Sequence, residues 1–95
     1  MEIASAQLTE TAGMKKAVVT LYNATEAAAE GFVVMTLWDG DAFCGMAVQP
    51  CVPAAGGTEE ITLTHAAPAG ASVEICVYDS LTAPRLLSGS VYRGK

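Results

Sequence analysis

The sequence predicts an all-β protein, a single Greek-key sandwich of about seven short strands. Apolar residues recur with a period of two, as in residues 59–64 and 72–78, and helical spacing is nearly absent. Turn-forming Asp-Gly, Gly-Gly and Pro-Ala-Gly groups interrupt these runs at short intervals. A length of 95 residues suits one domain of this kind with a single modest core.

Taken in order, residues 2–8 read as a first edge strand, weakened by its alanines, and residues 9–15 as the turn after it. Residues 17–23 are a clear strand with Val19 and Leu21 on one face. Residues 24–31 have helix propensity but fill barely two turns, too few for a stable isolated helix. They read as a loop with at most one helical turn. Residues 32–39 form the strongest strand, apolar on both faces as a central strand is. Asp39-Gly40 supplies the positive-φ chemistry of a tight hairpin, and residues 43–48 return beside it. Pro50 and Pro53 are expected to stop that strand, because proline donates nothing to a ladder. After a flexible segment at 54–57, residues 59–64 alternate with Ile61 and Leu63 inward. Pro68-Ala69-Gly70 turns the chain into residues 72–78, with Val73, Ile75 and Val77 inward. A last strand over residues 86–92 follows the Pro84 turn. The expected core is Val19, Leu21, Val34, Leu37, Ile61, Leu63, Val73, Ile75 and Val77.

Apolar residues make up 52% of the chain and charged residues 16%, which excludes a disordered tail. An ordinary core with alanine-rich loops accounts for the low charge before any apolar contact surface is invoked. The net charge is −5, and Lys15, Lys16, Arg85, Arg93 and Lys95 form no basic stripe, so nucleic acid is not an expected partner. The longest apolar run, residues 32–38, is far too short to span a bilayer, so no membrane insertion is expected. Residues 1–8 lack the basic and apolar regions of a secretory leader. Two explanations fit, a cytoplasmic protein or a domain separated from its leader and neighbours, and the bare Met1 and the abrupt Arg93-Gly94-Lys95 end favour a domain excised from a larger protein.

Of the 3 cysteines, Cys44, Cys51 and Cys76, at least one stays unpaired in a monomer. Cys44 with Cys51 would close a short loop if the backbone turned back between them, and Cys44 with Cys76 would need neighbouring strands. Free, mostly buried thiols acting as small hydrophobes are the favoured reading. Without a C-x-x-C pair or a Cys/His cluster, zinc is not expected.

No constellation of side chains spells catalysis, and no cofactor is expected. His65 is the only histidine; only Thr62 and Thr64 lie near it in sequence, and it reads as a solvated residue at a strand end. Asp39-Gly40-Asp41 offers two carboxylates to Ca²⁺, which wants roughly six to eight hard ligands, and turn formation explains the same letters. Glu59 and Glu60 diverge on a strand and make a poor acid–base couple. Gly56-Gly57 and Gly89 lack the Gly-Lys-Ser/Thr of a phosphate loop, and Ser80 and Ser88 lack a nucleophile elbow. Asn23-Ala24-Thr25 is a glycosylation sequon by spelling, but a strand-ending asparagine is its simpler use. Trp38, Tyr78 and Tyr22, if aligned on one exposed face, would form a sugar-stacking platform; against this, a small sandwich uses its large side chains for core and sheet edges.

The order of strand, Asn23, loop, and a strand ending in Trp38-Asp39 is followed near the end by Val73-Glu74-Ile75-Cys76-Val77-Tyr78-Asp79-Ser80-Leu81. This order resembles the immunoglobulin-like or fibronectin-III-like domains near the C-termini of large secreted or cell-surface proteins of anaerobic Gram-positive bacteria. Those domains often stand beside S-layer-homology or dockerin modules. In that family the penultimate strand ends in Trp-Asp-Ser-Leu, with Pro-Leu a few residues later. Here Tyr78 replaces the tryptophan, and Pro84-Arg85-Leu86-Leu87 places the proline earlier and an arginine before the leucines. The likeness spans roughly residues 17–92, with residues 73–81 its distinctive part.

The resemblance implies an immunoglobulin-like Greek-key β-sandwich and a spacer, assembly or accessory binding module, with no functional residue to carry over. The expected function is that of a non-catalytic structural or interaction module of an extracellular or cell-surface bacterial protein. Its expected partners are neighbouring domains or a second copy, met through the first or last strand, which few charges defend. A carbohydrate-binding module using exposed Trp38, Tyr78 and Tyr22 is the alternative, and an enzyme is not expected.

Overall fold

The computed structural model of the chain describes residues 2–78 and 92–94, which contain strands and turns but no helix. In chain order the strands are β1 (Glu2–Thr11), β2 (Met14–Tyr22), β3 (Gly31–Asp39), β4 (Ala42–Cys51), β5 (Thr58–Ala66), β6 (Ser72–Tyr78) and β7 (Tyr92–Gly94). They build a three-stranded sheet ordered β1-β2-β5 and a four-stranded sheet ordered β4-β3-β6-β7. All neighbouring strands are antiparallel. The chain is therefore all-β, with two sheets arranged as a sandwich. The expected Pro84 turn and, apart from Tyr92, the expected strand at 86–92 lie outside the described residues, as do Asp79-Ser80-Leu81, Ser88 and Gly89.

The turn expected over residues 9–15 is much tighter than that. Ala12 and Gly13 both have positive φ (51° and 78°), the conformation a two-residue hairpin loop demands, and Thr11 already pairs with Met14. Asp39-Gly40 behaves as expected: Gly40 has φ 61° and Asp39 pairs with Ala42. Residues 24–30 form no helical turn.

Pro50 does not stop its strand. It lies within β4, paired with Phe32, and the strand runs on to Cys51. The reason is position: β4 is the edge of its sheet, where a residue without an N–H leaves no central ladder bond unmade. The register also shifts between Leu37 and Trp38, so that Leu37 pairs with Gly45 and Trp38 with Phe43, leaving Cys44 bulged out between them.

Alternation decides the core. Ala17, Val19 and Leu21 of β2, Leu63 of β5, Val33, Met35 and Leu37 of β3, and Val73, Ile75 and Val77 of β6 are each at most 2% exposed and form one cluster. Burial of each large side chain here contributes about 1.5–3 kcal/mol. Ile61 packs against this cluster while staying half-buried. Val34 corrects the expected core: it is buried, but it pairs with Val48 and Cys76 on the opposite face of the sheet. A strand with a two-residue repeat cannot aim Val34 and Leu37 to the same side. Val33 and Met35 fill the inner face instead. Lys15 ends the β2 stripe, 3% exposed, with Nζ 3.3 Å from the Glu10 carboxylate that satisfies its charge.

One polar group ties the strand ends together. Asn23, fully buried, follows β2, and its backbone N–H donates to the Gly57 carbonyl at 3.0 Å. Its Nδ2 donates to the carbonyls of Ala27 (2.8 Å) and Pro53 (3.1 Å). Its Oδ1 accepts from the Thr25 N–H (3.0 Å) and the Thr25 hydroxyl (2.6 Å). The side chain thus gathers the β2–β3 loop and the β4–β5 connection onto one amide. Asn23→Ala is expected to lower the unfolding free energy in urea by about 2–4 kcal/mol, since it removes a fully buried amide that ties two connections together and leaves its space unfilled. Asn23→Asp is expected to destabilise as well, because it aims an acceptor at the same carbonyls. A loss below about 0.5 kcal/mol for Asn23→Ala would contradict this role.

Candidate functional site

The face of the four-stranded sheet turned away from the core carries the most unusual surface of the described residues. Along β3 it presents Phe32, Val34, Thr36 and Trp38, and along β6 their register partners Tyr78, Cys76, Glu74 and Ser72. β4 adds Phe43, 60% exposed, and Met46, 52% exposed. An ordinary outer face would alternate to polar residues; β3 is apolar on both sides.

At one end of this face Trp38 meets Phe43 edge-on, with ring centroids 5.8 Å apart and planes at 77°. The hairpin at Gly40 makes that contact, since its register places Trp38 opposite Phe43. On the other side of Trp38, β7 lies against β6 and sets Arg93 opposite Glu74. The Arg93 Nε donates to Glu74 Oε2 at 3.1 Å. Between the indole and this ion pair lies an open cleft of about 370 Å³, lined by Trp38, Ser72, Val73, Glu74, Arg93 and Gly94.

The three aromatics singled out from the sequence do not gather. Tyr22 belongs to the other sheet, in register with Glu2 and Thr58 and 37% exposed. Tyr78 shares the face of Trp38 but pairs with Phe32, at the far end of β3, roughly 20 Å along the strand. The neighbouring Cys76 side chain, with burial, raises the pKa of the Tyr78 hydroxyl. Trp38 is joined instead by Phe43, Ser72, Glu74 and Arg93. The hairpin chemistry of Asp39-Gly40 was the available signal for Phe43. Nothing local in the sequence signals Arg93, which reaches Glu74 only through pairing of distant segments.

His65 is not a solvated strand end. It is half-buried on the inward side of β5, with Nδ1 2.7 Å from the Ala66 carbonyl oxygen. Its ring fills the space over Gly45 of β4, where a Cβ would lie 2.9 Å from Nδ1. The edges of the two sheets face each other here, and the missing side chain of Gly45 makes the room. Glu59 and Glu60 diverge, Glu59 accepting the Val52 N–H at 3.0 Å while Glu60 is exposed. Asp39 ends β3 and Asp41 lies in the hairpin turn, and no group of three potential metal ligands assembles among the described residues. The sequon asparagine is buried with both amide protons in use. Among the described residues no helix is long and apolar enough to cross a membrane.

Cys44, Cys51 and Cys76 are all free. Cys44 and Cys51 lie on the one extended strand, roughly 20 Å apart, and β3 separates both from Cys76. Neither pair meets disulfide geometry. Burial, with a further push from Glu59, raises the Cys51 thiol from 9.0 to about 11. Burial also raises Cys76. Because the thiol of Cys51 ionises more readily in the unfolded chain, its contribution to stability is intact below pH 9.0 and is lost as pH rises toward about 11. At pH near 8, a thiol-specific reagent is expected to label Cys44 first, and Cys51 and Cys76 only once the chain is unfolded in urea. Peptide mapping after partial labelling checks this; early modification of Cys51 would contradict its placement in the core.

Comparison with known proteins yields no match for this chain among family models, curated proteins or solved structures.

Proposed function

We propose that the chain is an immunoglobulin-like Greek-key sandwich that serves a secreted or cell-surface bacterial protein as a non-catalytic interaction module. The strand order supports the fold. In the immunoglobulin constant-type arrangement the first, second and fifth strands share one sheet and the third, sixth and seventh the other. The order β1-β2-β5 against β4-β3-β6-β7 follows that division, with the fourth strand beside the third instead of beside the fifth. The location rests on the resemblance carried by residues 73–81.

The observation that carries the interaction role is the β4 edge. Ala42–Cys51 contains no charged residue and exposes Phe43 and Met46. The first and last strands, expected from the sequence to be the poorly defended ones, carry Glu2 and Glu10 on β1 and Arg93 on β7, and β5 carries Glu59 and Glu60, so β4 replaces them as the open edge. An edge presents unpaired backbone groups, and charge is the common means of keeping a second strand away. The bulge at Cys44 and the ring of Pro50 confine the open stretch to residues 45–49. A second copy meeting this stretch by two-fold symmetry would continue the four-stranded sheet across the pair.

Sedimentation velocity across a concentration series tests this reading. The expected result is a reversible dimer that Met46→Lys combined with Gln49→Lys returns to monomer without loss of folding. A strict monomer at the highest attainable concentration would contradict pairing through β4.

A further inference from the structure

We propose that the cleft beside Trp38 binds a neutral oligosaccharide, with one pyranose ring against the indole and its hydroxyls on the Glu74–Arg93 pair. The inference does not depend on pairing through β4, since neither Met46 nor Gln49 lines the cleft. At about 370 Å³ the cleft is of small-ligand size, for which sites run roughly 300–1,000 Å³.

The ligand class follows from what the cleft offers. Trp38 is fixed in orientation by its register on β3 and by the edge-on contact with Phe43 at 5.8 Å. A flat apolar surface so held suits the C–H face of a sugar ring, which packs on a π-system without needing to be aromatic itself. Around it stand groups with hydrogen-bonding capacity to spare. The Trp38 indole N–H and the Ser72 hydroxyl have no partner among the described residues, and neither is a buried unsatisfied group. Arg93, with its side chain 74% exposed, commits its Nε to Glu74.

Charge narrows the choice further. Among the described residues the cleft holds one cation and one anion, 3.1 Å apart, a compensated pair. A phosphorylated or otherwise anionic ligand would need a free cation, and the chain as a whole carries −5. Donor and acceptor side by side match a hydroxyl, which gives and accepts at once. A neutral polyol with an apolar face meets all of these conditions.

The chain contains a single tryptophan, so its ¹⁵N spectrum has one indole N–H signal, and that signal reports on the cleft. Cellotetraose, mannotetraose, xylotetraose and chitotetraose are titrated separately into the full chain, with uridine monophosphate as a flat anionic comparison. At least one tetrasaccharide is expected to move the indole signal saturably in the millimolar range. Arg93→Ala is expected to weaken that binding at least about ten-fold, with the remaining amide signals in place. Trp38→Ala, read through the Ser72 and Glu74 amides, is expected to abolish it; Trp38→Phe keeps a ring, and with it partial binding, should the alanine variant fold poorly. No saturable shift with any of the tetrasaccharides would overturn the proposal. So would binding that survives Trp38→Ala, or uridine monophosphate binding more tightly than every saccharide.

Discussion

Everything in this molecule depends on two apolar sheet faces closing on each other. The β2 stripe of Ala17, Val19 and Leu21 and the β3 stripe of Val33, Met35 and Leu37 are both fully buried, as is Ile75 of β6. A chain of 95 residues has few such side chains to spare, and its net stability is a small difference between large terms. The period of two is therefore a strict constraint. Slipping a strand by one residue would turn its whole stripe into solvent. The polar groups that enter this interior answer the same constraint: Lys15 has Glu10, and the Asn23 side chain spends its amide protons and its oxygen on its neighbours.

The outer face of the four-stranded sheet does not meet the other sheet, and its apolar residues answer to something besides the core between the sheets. Phe32, Val34 and Trp38 on β3, with Phe43 and Met46 on β4, give it an apolar character that packing against the first sheet does not explain. The same sheet ends in the uncharged β4 edge. Strand pairing and ligand binding draw on these two features separately. One uses backbone groups along an edge, the other an indole and an ion pair at the far side of the face. Both leave the core untouched, as befits function placed on a fold rather than in it.

Local chemistry was legible in the sequence where a local rule governs it. The alternation in residues 72–78 marks β6, and Asp39-Gly40 marks the β3–β4 hairpin. What the sequence did not reveal depends on distant segments. Pro50 stays in a strand because β4 is an edge, and edge position is a property of the whole sheet. The side taken by Val34 was obscured because β3 is apolar on both faces, so hydrophobicity alone cannot say which stripe faces in. His65 is half-buried because Gly45, on the other sheet, leaves room for its ring. The candidate site was legible by a single member, Trp38. Its partners Glu74 and Arg93 come from β6 and β7, brought together by strand pairing that no nearby motif announces.

The central claim is the facing of the two inner stripes, and methyl–methyl nuclear Overhauser effects in a methyl-labelled chain test it most directly. Cross-peaks are predicted between Val19, Leu21 or Leu63 on one sheet and Met35, Leu37 or Ile75 on the other, with Val34 linked to Val48 and to none of Val19, Leu21 and Leu63. Cross-peaks from Val34 to Val19 or Leu21, or none between the sheets, would contradict it.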